Sequence, residues 1–199
     1  MPKINPQIFR EYDIRGIVEK DLTEEVVETI GKAYGTYIRK QGKKRVTLGR
    51  DCRPSSPAFA KAITRGINST GVDVVDIGMV STPILYFSLF NLDVDGGVMV
   101  TASHNPTEYN GLKLCVGKET LFGEEIQNIR KIAELGDFAI GEGSYEVRSV
   151  TEDYLQFLRN NLDIKPGIKV GIDCGNGMVG IVAPRILKEF ECEVFELYV

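Results

Sequence analysis

The sequence predicts an α/β fold: a three-layer α/β/α domain around a mixed, mostly parallel sheet, followed by the start of a second, similar domain. Two observations carry this. Short, β-prone apolar runs alternate with stretches of helical periodicity from residue 23 to residue 135, the rhythm of strand-helix-strand units. Later, Ile168-Lys169-Val170-Gly171-Ile172-Asp173-Cys174 echoes Val46-Thr47-Leu48-Gly49-Arg50-Asp51-Cys52, a weak internal repeat. With 199 residues, 43% of them hydrophobic, the chain can bury a packed core.

Val26, Val27, Ile30, Tyr34, Tyr37 and Ile38 recur at helical spacing between 23 and 41, with Thr23 placed as N-cap and Gly42 as the stop. Residues 45 to 49 read as a strand. Ser56-Pro57 reads as an N-cap with Pro at the first helical position, opening a helix to about Ser69. A strand over 72–77, a helix from Thr82-Pro83 to about Asn91, and a buried strand over 97–100 follow. Next come a short strand from Leu112 to Val116, with Asn110-Gly111 before it as a tight turn, and a helix from about Phe122 to Leu135. The Gly-richer, less periodic stretch 136–144 reads as a connector, which divides the chain into a first domain over 1–145 and a second over 146–199. The second holds a helix near 151–161, a turn at 163–167, a strand from 168, a strand-turn-helix passage at Gly175-Asn176-Gly177, and a strand over 192–197. So few strands leave open edges and little buried area, so this part is expected to be truncated, packing on the first domain or pairing with a second copy.

The net charge of −4 argues against a general nucleic-acid or membrane-surface binder, which would need clustered Lys and Arg. Cys52, Cys115, Cys174 and Cys192 are scattered, with no C-x-x-C and one histidine in the chain, so neither a zinc site nor a disulfide framework is expected. A reducing cytoplasm fits this cysteine usage. No apolar stretch approaches the roughly 20 residues of a membrane-crossing helix, and the amino-terminal residues lack a signal-peptide pattern.

Thr101-Ala102-Ser103-His104-Asn105-Pro106 places a hydroxyl beside the sole histidine where the apolar strand 97–100 breaks. Ligands of open α/β sheets bind beyond the carboxyl ends of strands, so Ser103 is placed for chemistry. A hydrolase triad is disfavoured: His104 is the immediate neighbour, expected to point elsewhere, and the G-x-S-x-G elbow is absent. Phosphoryl transfer, which needs positioning, cations and backbone N–H groups, suits the turn better. The plain alternative is a Ser/Asn turn chosen for backbone geometry.

Lys113 could be brought near Ser103 to contact a sugar hydroxyl or phosphate; as a general base it would need offsetting cations, because a phosphate dianion would hold it protonated. Its plain role is a surface lysine. Phe9-Arg10-Glu11-Tyr12-Asp13-Ile14-Arg15-Gly16 could offer the Arg15 guanidinium to a phosphate, or its charges could pair with one another. Gly49-Arg50-Asp51-Cys52-Arg53 could supply a second cationic edge or be structural. Gly175, Gly177 and Gly180 have the G-x-G-x-x-G spacing of a dinucleotide loop, a weak signal alone.

Together, F-R-E-Y-D-I-R-G (9–16), G-R-D-C-R (49–53), T-A-S-H-N-P (101–106), N-G-L-K (110–113) and D-C-G-N-G (173–177) resemble, in order and spacing, the α-D-phosphohexomutase family, in its phosphomannomutase/phosphoglucomutase branch. The resemblance implies that Ser103 is a phosphoserine. It implies that His104 and Lys113 take part in proton transfer and substrate contact, and that Tyr12 and Arg15 make amino-terminal contacts to substrate. Asp173 to Gly177 then opens the second domain and is not a nucleotide loop. The implied activity interconverts hexose 1-phosphate and hexose 6-phosphate, mannose or glucose, through a hexose 1,6-bisphosphate that also serves as activator.

The resemblance also implies Mg2+. Of its cage this chain would supply one oxygen, that of Ser103 through its phosphate. The D-G-D-x-D-R loop of the family, its sugar-recognition loop and its phosphate clamp are not found in these residues, so the chain alone is expected to lack turnover. Small sugar phosphates and the remaining domains of the same protein are the expected partners. A phosphoglucosamine mutase is the nearest rival, but Tyr12-Asp13-Ile14-Arg15-Gly16 and Thr101 favour the mannose/glucose branch. A non-catalytic assembly module is the alternative from another class.

Overall fold

The computed structural model describes residues 2–199 and divides them into two compact units, one reaching to Arg148 and one spanning Ser149–Val199. In the first, a 3₁₀ turn at Pro6–Ile8 precedes β1 (Ile14–Ile17), α1 (Glu24–Lys40), β2 (Arg45–Arg50), α2 (Ser56–Asn68), β3 (Asp73–Met79), α3 (Thr82–Asn91), β4 (Gly96–Val100), β5 (Tyr109–Val116), β6 (Glu119–Thr120), α4 (Glu124–Leu135) and β7 (Tyr145–Val147). The strands form one mixed sheet in the order β1-β5-β4-β2-β3-β7, with β6 against β5. β4, β2, β3 and β7 run parallel, while β5 reverses against β4 and β1 against β5.

Alternation along the strands sorts the layers. Val46, Leu48, Val74, Val98, Val100, Leu112 and Leu114 join Val26 and Ile30 of α1, Phe59 and Ile63 of α2, and Ile126 and Ile129 of α4 in one core. The alternate residue Thr47 meets Ser88 of α3 on the other face, hydroxyl to hydroxyl at 3.2 Å. The result is the expected three-layer α/β/α arrangement.

Local chemistry sets the ends. Thr23 Oγ1 accepts the Val26 N–H at 3.3 Å, acidic Glu24 and Glu25 occupy the first turn of α1, Arg39 and Lys40 the last, and Gly42 at φ 72° ends it. At α2 the expectation is off by one residue: Ser55 is the N-cap position, Ser56 the first helical residue, and Pro57 the second. The reason is that Ser56 is buried, its Oγ donating to Asp51 Oδ1 and accepting from Asn110 Nδ2, so its oxygen is not available to cap.

Two further differences matter for the site. β1 lies where no element was expected, and Asn110-Gly111 is not a turn but the interior of β5. Asn110 is fully buried, donating to the Ser55 and Ser56 hydroxyls at 2.8 and 3.0 Å, and a Cβ on Gly111 would lie 2.3 Å from the Ile14 carbonyl oxygen. Tertiary pairing overrides the local signal; the chain reverses between β4 and β5 instead, over residues 101–108.

The second unit holds α5 (Thr151–Asn161), β8 (Lys169–Asp173), a 3₁₀ turn (Met178–Ile181), α6 (Ala183–Glu189) and β9 (Glu193–Leu197), with β8 and β9 paired in parallel. Among the described residues, no helix is long and apolar enough to cross a membrane.

Candidate active site

The reversal between β4 and β5 carries Ser103 at φ 56°, a left-handed conformation that a serine adopts only when its surroundings hold it there. Thr101 Oγ1 accepts the Ser103 N–H at 2.9 Å, and Ala102 O accepts the Asn105 N–H at 3.1 Å. The Ser103 side chain is left exposed beyond the carboxyl end of β4, with Oγ 3.2 Å from His104 Nδ1. This corrects the expectation that His104 points elsewhere: the left-handed residue folds the two neighbouring side chains onto the same side. No carboxylate is bonded to His104 among the described residues, so the third member of a hydrolase triad is missing.

Beside the turn, β1 presents Arg15 across from Gly111, on the face that also carries Lys113 two residues on. Arg15 is 9% exposed; its Nη1 donates to Asn105 Oδ1 at 2.8 Å and its Nη2 is bonded to Asp13 Oδ2. Arg15 Nε is buried with no hydrogen-bond partner. Asp13 Oδ2 also lies 3.8 Å from Lys113 Nζ, and that ammonium sits 5.2 Å above the Tyr12 ring, which is itself exposed. One buried carboxylate thus aligns the two cations. Sequence reasoning left Asp13 as a possible surface partner; its burial follows from β1, which was not foreseen.

The two arginines of 49–53 part company. Arg53 turns its guanidinium into the serine turn, bonding carbonyl oxygens of that turn and Asp51. Arg50 instead lines a separate pocket of about 490 Å³ with Pro57, Lys61, Asp76 and Tyr145. There burial, with the bond to Asp76 at 2.7 Å, pushes the Tyr145 phenol up to about 12.

In the second unit, the Gly175-Asn176-Gly177 loop spends its N–H groups internally. Gly175 donates to Asp173 Oδ1 at 2.9 Å, Asn176 to Tyr198 O at 2.7 Å and Gly177 to Cys174 O at 2.7 Å, so none is presented as in a dinucleotide loop.

No group of three His, Cys, Asp or Glu residues comes together for a metal ion among the described residues. Asp13 and Asp51, the acids that hold the arginines at the serine turn, are already engaged, Asp13 by Arg15 and Lys113, Asp51 by Arg53 and Ser56. These residues do not by themselves fit a magnesium cage.

Residues 6–139 match the family described as Phosphoglucomutase/phosphomannomutase, alpha/beta/alpha domain I. The chain belongs to this phosphohexomutase family. It is 41% identical over 197 residues to the Phosphomannomutase/phosphoglucomutase of Pseudomonas aeruginosa PAO1, covering 99% of this chain and 42% of that protein. It is 40% identical over 200 residues to the Phosphoglucomutase of Neisseria meningitidis serogroup B, covering 100% of this chain and 44% of that protein. The crystal structure of a phosphoglucomutase/phosphomannomutase family protein from Burkholderia thailandensis superposes with a TM-score of 0.94 at 38% identity, covering 98% of this chain and 44% of that one. The chain therefore spans less than half the length of these relatives.

Proposed function

We propose that this chain is the phosphoserine-bearing part of a mutase that interconverts hexose 1-phosphate and hexose 6-phosphate, of mannose or glucose, through a hexose 1,6-bisphosphate. The observation that carries this is the exposed Ser103 hydroxyl on its left-handed turn, 3.2 Å from His104 Nδ1 and flanked by Arg15. Membership of the family and the names of its relatives support the substrate class.

In the forward half-reaction the bond between phosphorus and Ser103 Oγ breaks and a bond to the free hydroxyl oxygen of the hexose phosphate forms. The hydroxyl proton passes to a base, for which Lys113 is the candidate, and His104 delivers a proton to the departing serine oxygen. After the bisphosphate turns over, its other phosphoryl group returns to Ser103, with His104 taking the proton back. Arg15, held at the serine turn by Asn105, offsets part of the charge of about −1.5 to −2 that a phosphoserine carries, the offset that Lys113 needs to act as a base. Tyr12, exposed beside Lys113, is a substrate contact. Magnesium would need carboxylate ligands from outside residues 2–199.

The test is steady-state conversion of mannose 1-phosphate and glucose 1-phosphate by the full-length protein. Ser103→Ala is expected to lose at least about a thousand-fold in kcat. Retention of wild-type turnover by that variant overturns the proposal. The 199-residue chain alone, which spans 42% of its Pseudomonas relative, is expected to show no turnover.

A further inference from the structure

The guanidinium of Arg53 has five N–H donors in a fixed plane, and each of them is accounted for. Nη1 reaches Pro106 O at 2.8 Å and Tyr109 O at 3.0 Å; Nη2 reaches Ser103 O at 2.8 Å and Asn105 O at 2.6 Å; Nε faces Asp51 Oδ2 at 3.3 Å. None remains for a phosphate. The contrast with Arg15, whose Nε is buried and unpartnered, is direct.

From this we propose that Arg53 is a positioning residue, a clamp that fixes the turn presenting Ser103 and does not itself bind phosphate. The proposal rests on the reading of Ser103 as the phosphoryl carrier. Left-handed serine is strained and persists only where neighbouring bonds over-determine it. Four charge-assisted bonds to carbonyls on both sides of the turn provide that, and Asp51 anchors the guanidinium, its other oxygen accepting from the Arg53 N–H and the Ser56 hydroxyl. The clamp has a second consequence. A planar trans peptide points its N–H opposite its C=O, so with Ser103 O held by Arg53 the His104 N–H faces away from the clamp. That N–H makes no hydrogen bond among the described residues, and it is the main-chain donor adjacent to Ser103 that a phosphoryl group on Oγ can use.

Lysine separates a clamp from a phosphate ligand, since it keeps the charge but cannot span four carbonyls with one ammonium. In the full-length protein, Arg53→Lys is expected to lower kcat about 100-fold, the cost of a misplaced reacting group, with KM for hexose 1-phosphate within about twofold of wild type. Arg53→Met should match it. A lysine variant near wild-type kcat, or a methionine variant whose defect lies in KM, overturns the clamp. Asp51→Asn, which removes the charge that anchors the guanidinium on the turn, covers the case in which Arg53 variants do not fold: kcat is expected to fall about tenfold at unchanged KM, and an unchanged kcat overturns the clamp. Peptide mapping of the wild-type protein after incubation with glucose 1,6-bisphosphate keeps the two proposals apart. A phosphoryl group on Ser103 with an indifferent Arg53→Lys sinks the clamp alone, whereas its absence from Ser103 sinks both.

Discussion

In the first unit β2 lies between β3 and β4 under helices on both faces, and its Val46 and Leu48 are 0% and 1% exposed. In the second, β8 opens on a similar strand-turn-helix pattern but pairs with β9 alone, leaving Val170 and Ile172 half-buried and Phe195 and Leu197 more than half exposed. Parallel strands are ordinarily covered on both faces, so β2 sits in its usual environment and β8 does not. The left-handed turns of the two units differ in the same way. Ser103 at φ 56° is fixed by a guanidinium that spans the turn, whereas Asn176 at φ 53° belongs to a loop closed by bonds to Asp173, Cys174 and Tyr198. Asparagine tolerates this conformation with little cost and serine does not, which is why the first turn needs a clamp.

The largest effect comes from separating the units. A chain ending at Arg148 should unfold cooperatively by circular dichroism, while residues 149–199 alone should be unfolded, because a two-stranded parallel pair buries too little. A cooperative transition in the shorter piece would break the comparison. Next is one kind of substitution made in a strand of each unit, β5 and β8. Gly111→Ala pushes a Cβ to 2.3 Å from Ile14 O and 3.0 Å from Thr101 O, and is expected to cost about 2–4 kcal/mol in denaturant titrations. Gly171→Ala in β8 meets nothing within 4 Å and should change stability by no more than about 0.5 kcal/mol. Equal effects would show that the two strands are not in different environments.

Tyr34→Phe probes the covered side of the comparison. The fully buried phenol donates to Cys115 O at 2.6 Å, and removing it should cost about 1–2 kcal/mol, read as a lowered thermal midpoint. In the second unit, Glu152→Gln removes a solvent-exposed pair with Arg185 and should leave the midpoint unresolved from wild type.

The smallest effect is in acid. Asp21 is held below its usual value of 3.8, first by the Ile17 N–H and then by Asn5, so its carboxylate stabilises the fold above that value. The contribution is lost as pH falls through the lower folded value. Asp21→Asn should flatten the acid limb of a stability-against-pH curve below about pH 4, leaving its neutral region sloped as in wild type.

Much of the fold was legible because periodicity is local. The apolar stripe from Val26 to Ile38 and the Thr23 cap delimit α1 without reference to any neighbour, and Val98 to Val100 read as a buried strand from composition alone. What escaped was decided by distant partners. Ile14–Ile17 is too short, and too rich in Arg and Gly, to announce a strand; it becomes one by pairing with β5, nearly a hundred residues on. Asn110-Gly111 carries a hairpin signal that buried bonds to Ser55 and Ser56 overrule. At the site, the T-A-S-H-N-P motif drew attention to Ser103, but neither the His104 contact nor the inward turn of Arg53 has a local signal. The first depends on the Ser103 backbone angle, the second on carbonyls about fifty residues further along the chain.

The most direct measurement is the site and stoichiometry of phosphoryl transfer to the full-length protein from glucose 1,6-bisphosphate, by intact mass and fragment sequencing. A single adduct on Ser103, absent from Ser103→Ala, is the expected result. An adduct on another residue, or one that survives in the alanine variant, would contradict the assignment of Ser103 as the phosphoryl carrier.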